Sequence, residues 1–312
     1  MDTGEELQVS ATEAGWRLDA LLADRYGGIS RMRLRQAIAQ GDVTVDHACR
    51  TAGWKLRAGD TVQVRLGEVG PTAMTPEAIP VPILYEDAHL AVVEKPAGMV
   101  AHPTAHWRGG TLVNAMAHHF NREPGAPVIR PGLVHRLDRL TSGLMVVAKS
   151  EAMLSRLTKA FQQRRVEKRY LALVHGQVSA EEGLIAAPIG RDAEQRPRWG
   201  VRAEGRPAET QFRIIERFPQ ATLLEMEPLT GRTNQLRIHG AHIGHPIVGD
   251  PEFGREMAAR YVALVEADLP PRLFLHAAHL ALPHPVTRAW LAFDSPLPPE
   301  LADYLARVRA LK

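Results

Sequence analysis

Residues 67–82, GEVGPTAMTPEAIPVP, hold four prolines and two glycines and no run with helix or strand periodicity. Proline removes a backbone donor and fixes φ, so no helix or sheet interior continues through such a tract. The chain is therefore expected to fold as two parts joined by a linker over 67–82, with one part at 16–66 and a larger one at 83–312. Residues 1–15 are expected to be a flexible N-terminus. The 312 residues are enough for both parts to bury a core. With 45% apolar and 23% charged residues, a wholly disordered chain is excluded. No stretch approaches the roughly 18–20 unbroken apolar residues of a membrane helix. The start, MDTGEELQ, is acidic and lacks the apolar segment of a secretory signal. The single cysteine, Cys49, excludes an internal disulfide and a cysteine metal site. A cytoplasmic protein with no membrane partner is expected.

The first part is small and basic. Residues 16–66 carry nine lysines and arginines against five acids. Leu18, Leu21 and Leu22 have helical spacing, and Gly27-Gly28 ends that helix. Ser30 reads as the N-cap of a second helix with Leu34, Ala37 and Ile38 inward and Gly41 at its end. Val43 and Val45 alternate as a strand, and Thr61 to Leu66 as another after the turn Ala58-Gly59-Asp60. Arg31 and Arg35, four apart, share one face of the second helix. Such a face is either an ordinary solvated surface or a track for phosphates. Only six of the 38 basic residues are lysines, and the planar arginine fork suits phosphates and bases. The pattern Arg17-Leu-Asp19, Ser30-Arg31, Val43-Thr-Val-Asp46 and Gly59-Asp60-x-Val62 resembles the S4 RNA-binding domain.

The second part alternates strand candidates (90–94, 144–148, 170–174, 208–215, 222–226) with only three helix candidates (111–120, 152–163, 233–243). Few long helices between strands point to an α+β layer structure, not a doubly wound sheet. The most informative stretch is Gly132-Leu-Val-His-Arg-Leu-Asp-Arg-Leu-Thr-Ser-Gly-Leu144. Asp138 lies in a polar run between two apolar ones, flanked by Arg136 and Arg139. That places it on a loop at the edge of a core, where neighbouring guanidinium charge keeps a carboxylate ionised. Taken alone, the same residues also describe a surface ion pair.

His135-Arg-Leu-Asp138-x-x-Thr-Ser-Gly143-Leu resembles the signature of the RluA family of pseudouridine synthases. Further matches follow in order: Glu94-Lys-Pro-Ala-Gly98 upstream, then Glu167-Lys-Arg-Tyr170, Thr230-Gly-Arg-Thr-Asn-Gln-Leu-Arg237-Ile-His239, Gly244 to Asp250, and Arg272 to Ala277. The resemblance covers nearly all of residues 83–295, and with an S4-like module in front the whole chain is similar to the RluD-like subset. It implies a mixed, mainly antiparallel sheet with a central cleft. It implies an RNA uridine isomerase acting on structured RNA, large-subunit (23S) ribosomal RNA or its particle, without a cofactor or metal. It implies Asp138 as the catalytic residue, attacking the uridine at C1′ or at C6. Arg237 would pair with Asp138 and hold it charged. Tyr170 would stack on the base or assist loss of the C5 proton; its other reading is a core tyrosine of a strand. Arg136, Arg139, Arg31, Arg35, Arg232 and Asn234 are candidate RNA contacts. Asn234 departs from the family, which usually has histidine there; an amide exchanges hydrogen bonds but does not titrate.

Basic clusters at 156–169 and at Arg191, Arg196, Arg198, Arg202 and Arg206 fit an RNA path with salt-dependent binding. The motifs give no reason to expect more than a monomer. Two competing readings remain at this level. One is a non-catalytic RNA-binding or ribosome-assembly factor. The other is a metal-dependent hydrolase built on His239, His242 and His245, although Gly244 is expected to end the helix before the third histidine.

Overall fold

The computed structural model describes residues 5–26, 29, 31–66, 75–104, 107–123, 125–126, 128–191, 199–253 and 270–310. Gly27, Gly28, the expected cap Ser30, linker residues 67–74, Arg196 and Arg198 lie outside the described residues. The strands are β1 (Glu5–Gln8), β2 (Val43–Val45), β3 (Ala48–Cys49), β4 (Thr61–Val64), β5 (Ile83–Glu86), β6 (Leu90–Lys95), β7 (Gly132–Leu133), β8 (Ser142–Ala148), β9 (Glu167–His175), β10 (Glu182–Ala186), β11 (Ile189–Arg191), β12 (Trp199–Val201), β13 (Glu209–Arg217), β14 (Ala221–Pro228), β15 (Leu275–Pro283) and β16 (Trp290–Asp294). The helices are α1 (Leu18–Arg25), α2 (Arg31–Gln40), α3 (Leu112–Phe120), α4 (Glu151–Gln162), α5 (Gln235–His242) and α6 (Pro299–Ala310). Contacts divide the chain into two units. One comprises Met1–Pro80, His102–Leu133 and Ala148–Ser155, and the other Val81–Ala101, Val134–Val147 and Arg156–Lys312.

In the first unit β1, β4, β2 and β3 form an antiparallel sheet in that order. Its alternating valines (Val43, Val45, Val62, Val64) meet Leu18, Leu21 and Leu22 of α1 and Leu34 and Ile38 of α2 in one core. The helical spacing read from the sequence is what brings those leucines onto the sheet. Gly41, at φ +83°, turns the chain from α2 into β2 as expected. The flexible N-terminus needs correcting, because Glu5–Gln8 pair with Val64 to Thr61 as an edge strand. Glu-Glu-Leu-Gln carries no strand pattern of its own, and the free edge of β4 supplies the hydrogen bonds that order it. In the same unit Thr111 and Asn114 form a reciprocal capping box at the start of α3.

In the second unit the strands run in the order β10-β13-β14-β9-β15-β8-β6-β5, with β16 beside β15. Pairing is antiparallel from β10 to β15, parallel where β15 meets β8, and antiparallel between β6 and β5. β8 is buried along its whole length, as the unbroken apolar run from Leu144 to Ala148 demands. At Gly143 (φ +115°) a Cβ would lie 2.3 Å from the carbonyl oxygen of Ala277. Only glycine lets β8 approach β15 this closely, and that approach fixes where the loop before β8 ends. Among the described residues, no helix is long and apolar enough to cross a membrane.

Candidate active site

The loop 134–141 reads inward and outward residue by residue. Leu137 is buried, while Arg136 and Arg139 are exposed. The ring of His135 stacks on Phe161 at 4.9 Å, and its Nε2 accepts the N–H of Val146 at 3.1 Å. Burial, reinforced by Lys168, drives His135 down to about 3 and keeps it neutral, as an accepting ring nitrogen requires. Asp138 is thereby presented half-buried at the end of a clamped loop. Its carbonyl accepts the N–H of Thr141 at 3.1 Å. The next carbonyl, that of Arg139, accepts from the N–H of Gly98 at 2.7 Å and from Nζ of Lys95 at 3.4 Å.

Lys95 ends β6 with no exposed surface. Its ammonium also donates to the carbonyls of Pro96 (2.8 Å) and Met99 (2.9 Å), so all three of its N–H groups are used. Burial lowers Lys95 to about 7; the charge of Asp138 opposes that shift and Arg272 adds to it. Arg272 in turn donates to Ser142 Oγ at 2.9 Å, and Ser142 lies 2.8 Å from Nδ1 of the buried His276. The far nitrogen of His276 reaches Ser295 Oγ at 3.0 Å, and Ser295 donates to Glu94 at 2.9 Å. This polar chain runs behind the loop and joins β6, β8 and β15.

Arg237 comes from the first turns of α5 and is nearly fully buried. The start of that helix is pinned by Gln235. Its amide nitrogen donates to the Glu209 carbonyl (2.8 Å) and Thr210 Oγ1 (2.9 Å), and its amide oxygen accepts from Thr230 (2.8 Å) and the Arg232 N–H (3.0 Å). Sequence reasoning aimed the guanidinium at Asp138 directly. Instead it is bidentate on Asp250, with Nε and Nη2 each 2.7 Å from a carboxylate oxygen. Nη1 donates to Asn234 Oδ1 at 3.1 Å, and Phe253 lies under the guanidinium at 4.7 Å. Arg237 and Asp138 still interact through their charges. Burial raises the carboxyl of Asp138 above its ordinary value; Arg237, Arg136 and Lys95 oppose that rise, and Asp250 adds to it. Tyr170, on β9 between Met226 and Ala277, is 8% exposed. Burial, then the charge of Asp138, raises its hydroxyl, so it is a neutral phenol at physiological pH.

Asp138 thus interacts through its charge with Arg237, Arg136 and Tyr170 in the second unit. Arg232 is engaged locally: its Nε donates to the Pro207 carbonyl at 3.0 Å, and burial together with Arg206 lowers it. Arg31 and Arg35 are also accounted for locally. With Arg17 they converge on Asp19, which is fully buried, at 3.4, 2.6 and 2.9 Å, and Arg31 also pairs with Glu151. Burial alone would raise Asp19, but hydrogen bonds from Arg17, Arg35 and Arg31 overcome it and hold the group well below its usual range. Three guanidiniums around one carboxylate leave positive charge facing outward, with the side chains of Arg17 and Arg35 43% and 52% exposed. Sequence reasoning gave no role to Lys95, Gln235 or Asp250. Asp250 lies beyond the end of α5, and no helical spacing pairs it with Arg237. His239 has both ring nitrogens engaged, with Thr210 Oγ1 (2.9 Å) and the Ala187 carbonyl (3.0 Å), and His245 holds the His175 carbonyl at 2.8 Å. Among the described residues no group of three His, Cys, Asp or Glu side chains is placed to hold a metal ion.

Residues 89–242 match the model of the RNA pseudouridylate synthase family, and residues 16–62 that of the S4 domain. The chain is 42% identical to the ribosomal large subunit pseudouridine synthase D of Nitrosomonas europaea, over 98% of this chain and 88% of the relative. It is 35% identical to the protein of the same name from Escherichia coli, over 97% of this chain and 93% of the relative. A solved structure, human RNA pseudouridylate synthase domain containing 1, aligns with a TM-score of 0.56 at 27% identity. That alignment covers 78% of this chain and 98% of the human one.

Proposed function

The chain belongs to the RluA family of RNA pseudouridine synthases that carry an S4 domain, and on that premise we propose that it isomerises uridines of large-subunit ribosomal RNA with Asp138 as nucleophile. The observation that carries this reading is the meeting of Asp138 with Arg237, Arg136 and Lys95 beside a neutral, buried tyrosine. Isomerisation breaks the N1–C1′ bond, turns the uracil and joins C5 to C1′; the proton on C5 is lost to solvent and N1 gains one in its place. A nucleophile, a way to hold it charged and a face for the base are therefore enough. Asp138 attacks the uridine, and the three cations stabilise its ionised form against burial. Tyr170 presents its ring to the base, and its un-ionised hydroxyl stands near the site for handling the C5 proton. Arg136, exposed beside the nucleophile, contacts the RNA or occupies the place of the extruded base. Arg139 and Arg232 add phosphate contacts outside this group. The protein acts as a cytoplasmic monomer.

The test of substrate is tritium release from RNA labelled at uridine C5. Naked large-subunit RNA, large-subunit particles, small-subunit RNA and transfer RNA are compared. Release confined to the large-subunit substrates is expected; equal release from all four would overturn the assignment.

Acid should slow the reaction. The raised carboxyl of Asp138 must lose its proton before it attacks, so kcat/KM falls on acidification with a midpoint above the ordinary value of about 4. An acid limb at or below about 4 would show that the surrounding cations outweigh burial.

For the S4 domain, Arg35→Ala should weaken RNA binding and lower the slope of log K against log salt by about 1. Folding should survive, because Asp19 keeps Arg17 and Arg31. An unchanged slope in filter binding would remove Arg35 from the RNA path.

A further inference from the structure

Asn234 sits where a helix N-cap is expected, yet it does not cap. An ordinary N-cap has extended backbone and lends its side-chain oxygen to the N–H of the first turn. Asn234 has φ 55° and ψ 23°, the left-handed conformation, and makes no side-chain cap. Asparagine is among the few residues besides glycine that adopt this conformation at low cost. Its carbonyl already accepts the helical hydrogen bond from Ile238 at 2.9 Å, which leaves the side chain free for another task. That task is Arg237, whose Nη1 donates to Oδ1 at 3.1 Å.

The hydrogens of the guanidinium can be accounted for one by one. Arginine has five N–H groups in a rigid plane. One on Nε and one on Nη2 go to Asp250, and Nη2 also reaches Glu252 at 3.4 Å. One on Nη1 goes to Asn234. Among the described residues a single N–H is then left, and it is on Nη1. Asp250 fixes one edge of the plane, and Asn234 fixes the nitrogen that carries the remaining hydrogen. The chemistry of the acceptor matters as well. Arg237 already serves two carboxylates by hydrogen bond and a third, Asp138, by charge. A neutral amide holds Nη1 without drawing more of the positive charge away from Asp138.

We propose that Asn234 is a positioning residue of the isomerase, holding Arg237 in place through a neutral acceptor so that its full positive charge acts on Asp138. This rests on the reading of Asp138 as nucleophile. It also replaces the direct RNA contact that sequence reasoning gave to Asn234.

Two variants separate the side chain from the backbone. Asn234→Gly keeps the left-handed conformation and removes the acceptor. A hydrogen bond to a charged group is worth about 1.5–3 kcal/mol, so kcat for tritium release should fall by about 10–150-fold with the RNA dissociation constant unchanged. Asn234→Asp keeps both the conformation and the acceptor but adds a negative charge beside Arg237. The acid limb of kcat/KM should move to higher pH, and the Asp138 carboxyl should titrate higher by 13C NMR in the RNA-free protein, its resonance assigned with Asp138→Asn. Wild-type kcat in Asn234→Gly would reduce Asn234 to a backbone role and overturn the proposal. So would a loss confined to RNA affinity, or an Asp138 titration that Asn234→Asp leaves unmoved. The NMR titration needs no turnover, so a shift there in a protein inactive on every RNA would uphold the positioning while sinking the reading of the reaction.

Discussion

The Asp138→Asn variant is expected to release no tritium from uridine C5 above background, a loss of at least about 10⁴-fold, yet to bind RNA as the wild type does. The magnitude follows from the role. Removing a covalent nucleophile abolishes the route through the intermediate, and such losses reach about 10⁶-fold in enzymes where they have been dissected. The substitution is isosteric, so the clamp on the loop persists: the contacts at residues 138 and 139 that hold it are carbonyl contacts, to Thr141, Gly98 and Lys95. Stability should move the opposite way from activity. Burial raises the folded-state pKa of Asp138 above its unfolded value, so between those two values the folded protein binds more protons than the unfolded one. Stability from this group is therefore present at low pH and is lost as pH rises through the folded pKa. At pH 7 the ionised carboxylate costs stability, and the neutral amide should melt no lower than the wild type. Calorimetry at pH 5 and pH 8 checks the sign: the advantage of the variant should be larger at pH 8. Full tritium release by the variant would remove Asp138 from the chemistry, and a lower melting point at pH 8 would mean that Arg237 and Lys95 stabilise the anion more than burial opposes it.

What was legible in the sequence follows from how locally each feature is encoded. β8 reads as a buried strand because its residues from Leu144 to Ala148 are all apolar and all interior. α1 and α2 read as helices because their apolar residues (Leu18, Leu21 and Leu22; Leu34, Ala37 and Ile38) recur at helical spacing and meet one sheet. β15 was hidden, although it pairs with β9, β8 and β16 at the centre of the sheet. Two histidines interrupt its apolar run, and its ladder shifts register between Ala277 and His279, so no alternation survives in the sequence. His276 is tolerated in the interior only because Ser142 and Ser295 satisfy its nitrogens, and both partners are remote in the chain. The same distinction separates the parts of the site. Asp138, Tyr170 and Arg237 each stand in a motif of their own. What holds them does not: Lys95 reaches the loop from 44 residues away, and Asp250 meets Arg237 only after the chain has turned back from α5. The RNA role expected for Arg31 and Arg35 was complicated for a related reason. Asp19, which anchors both, belongs to the preceding helix.

Asp250→Ala should be the most damaging substitution outside the nucleophile. The Arg237–Asp250 pair is bidentate, with side-chain exposures of 7% and 1%. Breaking such a buried pair by removing one partner costs about 3–5 kcal/mol, because the other charge stays in the interior without its solvation or its partner. The carboxylate has a second duty that alanine also removes. Its Oδ1 accepts the N–H groups of Glu252 and Phe253 at 2.9 and 3.0 Å, closing the turn that places Phe253 under the guanidinium. The preceding residue leaves the backbone little freedom to adapt. Gly249 sits at φ +75°, and a Cβ there would come within 2.5 Å of the Arg272 carbonyl oxygen. Once released from Asp250, Arg237 keeps its contact with Glu252 and is drawn by the charge of Asp138. A guanidinium drawn fully onto the nucleophile lowers its pKa but also occupies the oxygens that must attack, so catalysis fails in a protein that still binds RNA through its S4 domain. A double-mutant cycle with Arg237→Met isolates the pair. In chemical unfolding Asp250→Ala should cost about 3–5 kcal/mol alone and clearly less in the Arg237→Met background, because no stranded cation remains. Equal costs in both backgrounds would assign the loss to the turn at Glu252 and Phe253. A cost below about 1 kcal/mol in the wild-type background would mean that Glu252 and Asp138 hold Arg237 without help from Asp250.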